Sequence, residues 1–168
     1  WKVKIKNEKR SPRKLSLFGC FELALGGAGD THREFHKTFM ETRIDRKQNA
    51  IFCKKRPGLM PGSLSTSTNE APPEAFFAVS NASVSNFDGD KETFFGRYGT
   101  NAAPQAVVEG KLKNSEGKWK DAIAALQTEV SLKAGEEKSL IFLIGAFSTP
   151  EEAERLIKKY SDVKAVDK

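Results

Sequence analysis

Apolar side chains recur at every second position over much of this chain. That period restricts the fold more than any other feature, because only an extended strand places alternate residues on one face. Leu15, Leu17, Phe21, Leu23 and Leu25 share a face between Leu15 and Leu25, and Trp1, Val3 and Ile5 alternate with lysines from Trp1 to Asn7, which reads Trp1 as a core residue. The longest stretch of this kind runs from Ala122 to Lys133, with Ala122, Ala124, Leu126, Val130 and Leu132 on one face. Glu34 to Ile44, Asn49 to Lys54 and Lys138 to Phe147 give three more strands. Phe76, Phe77 and Val79 within Glu74 to Ser80 indicate a strand buried on both faces. Ala134-Gly135-Glu136-Glu137 reads as the bend of an antiparallel hairpin between the last two strands.

One segment follows a helical period instead. Thr149 is placed to cap, Pro150 fits the first helical position, and Glu152 completes a capping box. The inward stripe is Ala153, Leu156, Ile157 and Tyr160. Many strands followed by one helix predict an all-β fold, an antiparallel sandwich of ten or more strands. The β-sandwich domain is expected over residues 1–147, and residues 148–168 form a C-terminal helix and the start of a linker.

A chain of 168 residues suits one domain, and no apolar run approaches the roughly 20 residues a membrane helix needs. The first residues alternate apolar and basic rather than forming a signal peptide, and the missing initial Met leads to the expectation that the chain starts inside a longer gene product. Cys20 and Cys53 are far apart and in no C-x-x-C pattern, so neither a disulfide framework nor zinc is expected, and the location is read as cytoplasmic. The net charge of +6 is spread over 28 basic and 22 acidic residues. Only Lys54-Lys55-Arg56 and Lys9-Arg10 with Arg13-Lys14 are locally basic, and neither a nucleic-acid nor a membrane partner is expected.

The motifs that could carry chemistry fail one by one. His32 and His36 stand four apart, but Glu34 is not adjacent to the first histidine and the text is strand-like, so a zinc protease site is not formed. Asp88-Gly89-Asp90-Lys91-Glu92 lacks the ligand spacing of a calcium loop and reads as a turn whose carboxylates bind backbone amides. The hydroxyls from Ser63 to Thr68 have no partnered histidine, and Gly26, Gly27 and Gly29 do not make a dinucleotide fingerprint. No catalytic residue, no metal and no cofactor is assigned.

Blocks in the second half carry a resemblance. Phe94-Phe95-Gly96-Arg97, Pro104 to Gly110, Ala125-Leu126-Gln127, Ala134 to Glu137 and Leu143-Ile144-Gly145 precede the Glu-rich helix from Pro150 to Tyr160. In that order they resemble the end of the N-terminal domain of glycoside hydrolase family 94, which includes cellobiose, cellodextrin and chitobiose phosphorylases and cyclic β-1,2-glucan synthases. Phe21-Glu22-Leu23-Ala24-Leu25-Gly26 is similar to an earlier strand of that domain. Phe95 stands where the family usually has Leu, and Lys120-Asp121-Ala122 replaces a more usual Asp-Pro-Cys.

The resemblance implies an antiparallel β-supersandwich, like that of galactose mutarotase, serving as the non-catalytic N-terminal domain of an inverting β-glucoside phosphorylase. Its implied partners are an (α/α)6 catalytic barrel of the same parent, a β-linked disaccharide or oligosaccharide, and a second subunit in a homodimer. Phe94 to Tyr98 is expected to be a structural junction, with Arg97 bonding carbonyls or an acid. Prolines and glycines from Arg56 to Pro73 exclude regular structure. In the family a segment of this domain reaches toward the active site, so Asn69 and Glu70, with Arg56 as a weaker choice, are the candidate substrate-binding residues. The alternatives are a free-standing carbohydrate-binding module, using Trp119 and Tyr98 as aromatic platforms, and a mutarotase-like enzyme.

Overall fold

The computed structural model of the chain describes residues 1–23, 25, 39–55, 74–118 and 120–166. These form two antiparallel sheets packed face to face. The larger sheet has the order β1 (Lys2–Lys6), β8 (Glu137–Phe147), β5 (Glu74–Val79), β4 (Ala50–Lys55) and β3 (Met40–Asp45). The smaller has β2 (Arg13–Glu22), β7 (Ala122–Leu132) and β6 (Val84–Asp90). Residues 34–38 of the third expected strand lie outside the described residues, and β3 occupies the remainder.

The period of two explains how both faces of each sheet are used. Ala75, Phe77 and Val79 of β5 face inward to meet Ala122, Ala124 and Leu126 of β7, forming the central core with Ile51, Cys53, Leu140 and Phe142. The intervening Phe76 and Ala78 face outward, where Ala50, Phe52 and Phe147 join them beneath Ala153 and Ile157 of a helix, α3 (Pro150–Lys159). The double burial expected of Glu74 to Ser80 thus has a helix as its second cover. Phe52 meets Phe147 edge-on, with centroids 5.6 Å apart at 89°. Gly145 lies under the Phe76 ring, where an added Cβ would stand 2.8 Å from it.

On the other side, Ile123 and Ala125 of β7 face away from the central core. They are covered by Phe94 of α1 (Lys91–Phe95), Ala106 of α2 (Gln105–Val108), and Leu112. The molecule therefore has three apolar layers, one between the sheets and one outside each. With α4 (Val163–Val166), three short helices of four or five residues accompany the C-terminal one that the sequence predicts. Stretches that short show no helical stripe in sequence.

The cap of α3 is as expected. Thr149 Oγ1 accepts the Glu152 N–H at 3.3 Å, and Glu152 Oε2 reaches back to accept the Ser148 N–H at 3.0 Å. Two expectations are corrected. β7 and β8 do not form a hairpin: β7 pairs with β2 and β6, β8 pairs with β1 and β5, and the 133–136 turn carries the chain across the sandwich. Trp1 is not core. It is 62% exposed at the sheet margin, extends the ladder by accepting the Phe142 N–H, and leans its ring on Phe21 at 6.0 Å.

Candidate functional site

The acidic turn singled out in the sequence is a fastening. Asp88 is fully buried, and its carboxylate accepts the backbone N–H of Lys113 and of Ser115 and the Ser115 hydroxyl, the last two at 3.0 and 2.8 Å. The segment it holds continues to β3, where Thr42 N donates to Gly117 O at 2.8 Å and Gly117 N donates to Thr42 Oγ1 at 2.6 Å. Residues 113–117 thus strap the β6 edge of one sheet to the β3 edge of the other. Gly89 is required at the crossing, because a Cβ there would come 2.1 Å from Thr42 Oγ1. Among the described residues no three His, Cys, Asp or Glu side chains gather as a metal site.

Asp90, two residues on, starts α1. Its Oδ1 accepts the Thr93 N–H at 2.9 Å, and Lys120 lies 3.4 Å from its other oxygen. Lys91 ties the helix to β2 and to Asp121 through contacts of 3.0 Å with Glu22 and 3.5 Å with Asp121. Burial opposes charge on Lys91, but the hydrogen bond to Glu22 and the nearby Asp121 outweigh it and raise its pKa above the ordinary value. Phe94 then anchors the helix among Ala106, Leu112, Ile123 and Ala125, and Phe95 stacks on it edge-on at 4.9 Å.

Beyond this anchor the chain turns back twice. Gly96 has φ 79°, a left-handed conformation that glycine adopts freely, and its N–H closes on Glu92 O at 2.8 Å. Gly99 N donates to Gly96 O at 3.2 Å and Ala103 N to Thr100 O at 3.1 Å, so residues 96–103 are a tight tip on a packed base. Tyr98 stands 89% exposed at that tip, with the Arg97 guanidinium 5.7 Å from its ring centroid. Val107 and Val108 follow on α2 at 38% and 74% exposure. Three of the four exposed large apolar side chains among the described residues therefore fall between positions 98 and 108.

The junction reading holds for Phe94 and Phe95 and fails for Arg97. Among the described residues no carbonyl or carboxylate is hydrogen-bonded to its guanidinium, because the double turn directs it outward beside Tyr98. The signal was present in sequence as an Arg-Tyr pair between Gly96 and Gly99, a pattern that marks a turn tip. Tyr98 is exposed as a binding platform requires, whereas Trp119 lies outside the described residues. Arg56, Asn69 and Glu70, His32 and His36, Ser63 to Thr68, and Gly26, Gly27 and Gly29 also lie outside the described residues. No helix in the described residues is long and apolar enough to cross a membrane.

Comparison with known proteins places this geometry in a family. The chain is 26% identical over 159 residues to the cyclic beta-(1,2)-glucan synthase NdvB of Rhizobium meliloti (strain 1021), covering 94% of the chain and 5% of the synthase. It is 26% identical over 164 residues to the solabiose phosphorylase of Paenibacillus borealis, covering 95% of the chain and 19% of that enzyme. It is 26% identical over 171 residues to the N,N'-diacetylchitobiose phosphorylase of Vibrio proteolyticus, covering 99% and 19%. The chain thus spans 19% or less of the length of these relatives. The family model described as glycosyl hydrolase 94, supersandwich domain, matches residues 1–163, and with two packed antiparallel sheets and a C-terminal helix the chain belongs to that domain family.

Proposed function

We propose that the chain is the non-catalytic N-terminal domain of an inverting β-glucoside phosphorylase, and that it presents the Arg97 and Tyr98 tip to the substrate site of the catalytic barrel. The observation that carries this reading is the clustering of Tyr98, Val107 and Val108 beside an outward Arg97 on a rigidly packed base. Exposed apolar side chains grouped with a cation on a fixed scaffold suit a contact surface. In the intact enzyme a general acid on the barrel protonates the leaving oxygen while inorganic phosphate attacks the opposite face of the sugar, yielding a sugar 1-phosphate. An arginine at the mouth of such a site would hold an oxygen of phosphate or sugar through its fork of N–H donors.

The similarity to a solabiose phosphorylase and to an N,N'-diacetylchitobiose phosphorylase supports a disaccharide and phosphate as substrates. The parent enzyme is read as a cytoplasmic homodimer, with Asn69, Glu70 and Arg56 as further contacts to the acceptor sugar. The test is Arg97→Ala and Tyr98→Ala in the intact parent enzyme. Expected is a loss of kcat/KM of at least about tenfold, the scale of one charge-assisted hydrogen bond, with an unchanged melting temperature. Unchanged kinetics in both variants would overturn the assignment. The exposed Tyr98 also favours the second reading, a carbohydrate-binding module. That reading expects the chain alone to bind β-linked oligosaccharides and to lose binding in Tyr98→Ala.

A further inference from the structure

At the far end of β7 from α1, two loops meet. Asp90 faces Ala122 at one end of that strand, and Arg13 faces Leu132 at the other. The loops are joined through Asn7, which is 3% exposed. Its side-chain amide donates to Ser11 O and Lys133 O, each at 2.9 Å, and its backbone binds Glu136 O and the Gly135 N–H at 2.9 and 3.0 Å. One buried residue thus fixes the β1–β2 turn against the β7–β8 turn.

The charge on these fixed loops is one-sided. Residues 6–14 and 133–138 hold seven cations against three carboxylates, a surplus of four within a chain whose total is +6. Lys14 is paired with Glu129 and Lys138 with Glu136, both at 3.6 Å. Glu136 is committed locally: the Lys133 N–H, and then the nearby Lys138, hold its carboxyl below the ordinary value despite partial desolvation. Lys9, Arg10, Arg13 and Lys133 are all exposed and form no ion pair among the described residues. Lys133 shares the charge of Glu136 with Lys138, so the two loops keep a surplus of cations over carboxylates, and an anion relieves the repulsion among them.

Between the loops lies a shallow cavity of about 470 Å³ lined by Arg13, Lys14, Ser131, Lys133, Glu136 and Lys138. No aromatic side chain lines it, so it offers no face on which a sugar ring or base could stack. It is open to solvent, and its donors suit a small anion with several acceptor oxygens. A phosphate monoester fits best, since it brings a charge of roughly −1.5 to −2 and three acceptor oxygens, whereas a carboxylate brings one charge and two.

We propose that this end of the sandwich is a phosphate-binding site, built from Arg13 and Lys133 across the two loops joined by Asn7, with Lys9 and Arg10 adding attraction at its rim. The probes follow from the function proposed above, in which phosphate is consumed and a sugar 1-phosphate released, but the site itself does not depend on the Arg97 tip.

The test titrates the isotope-labelled chain with inorganic phosphate, with glucose 1-phosphate, and with phosphatidylcholine vesicles with or without phosphatidic acid, whose headgroup is a phosphate monoester, following backbone amide signals. Expected are saturable shifts confined to residues 7–14 and 131–138 with at least one phosphate source. Binding to the soluble probes identifies a small-molecule ligand. Binding to phosphatidic acid vesicles alone identifies a lipid headgroup. Affinity should weaken with salt, fall at least about fivefold in Arg13→Ala/Lys133→Ala, and rise about twofold in Glu136→Gln, which releases Lys138. The altered side chains are surface groups, so the melting temperature serves as the folding control. The proposal is overturned if no phosphate source produces localised shifts, if sodium acetate at equal ionic strength produces the same ones, or if the double variant binds unchanged. Loss of the Arg97 kinetic effect leaves this result untouched, so the two readings fail separately.

Discussion

Asp88 and Ser115, on different elements 27 residues apart, are joined twice, by a backbone N–H at 3.0 Å and a hydroxyl at 2.8 Å that both meet the same carboxylate oxygen. Because Lys113 N also donates to this carboxylate, its loss strands several donors at once. Asp88→Ala should cost about 3 kcal/mol, the scale of leaving buried hydrogen-bonding groups unpaired. Denaturant unfolding measures it, and a cost under about 1 kcal/mol would mean that the strap is held elsewhere.

The covering helix separates two kinds of contribution. Thr149→Ala removes one cap bond and should cost about 1 kcal/mol. Ile157→Ala, 8% exposed against Phe52, Phe76 and Phe147, should cost about 3 kcal/mol through lost burial and a cavity. If the order were reversed, α3 would be held by its own ends rather than by the aromatic layer beneath it.

Phe94→Ala provides the contrast to changes at the tip. Phe94 is 3% exposed and central to the outer layer on β7, so its truncation should destabilise by about 4 kcal/mol. Calorimetry of the two single variants decides the point: Phe94→Ala should melt early while Arg97→Ala melts with the wild type.

Alkaline stability should report on Cys53. Burial, with a smaller effect from Glu74, pushes its thiol from the ordinary 9.0 up to about 12. A folded-state pKa raised above the unfolded one gives stability that is complete below pH 9.0 and is lost as pH rises toward about 12. Wild type should therefore lose melting temperature through that window more steeply than Cys53→Ala. Parallel pH profiles would show that the thiol contributes nothing to the loss.

The alternation of apolar residues made the strands legible because each buried position repeats the same constraint, and Thr149 to Glu152 marked the helix start for the same local reason. The order of pairing was not legible. Ala134 to Glu137 shows that the chain turns, but not whether it returns to its own sheet or crosses to the other, and the turn that crosses is held by Asn7, which is distant in sequence and buried. Trp1 was misread because alternation gives a face without saying how near the margin a residue lies. Arg97 was misread because a guanidinium between two glycines looks alike in a closed corner and at an open tip, and only the double turn from Gly96 to Ala103 distinguishes them.

The first strand finds its partner last. Lys2 lies opposite Ile141, so β1 stays unpaired until almost all of the described chain has been made, and β5 likewise pairs with β8. β3, β4 and β5 can pair earlier, but closing loops of that length to seat β8 makes folding slow, and an emerging chain would carry open sheet edges for much of its synthesis. A ribosome-bound nascent chain ending before residue 137 should accordingly be a chaperone client, and one extending past residue 147 should be released.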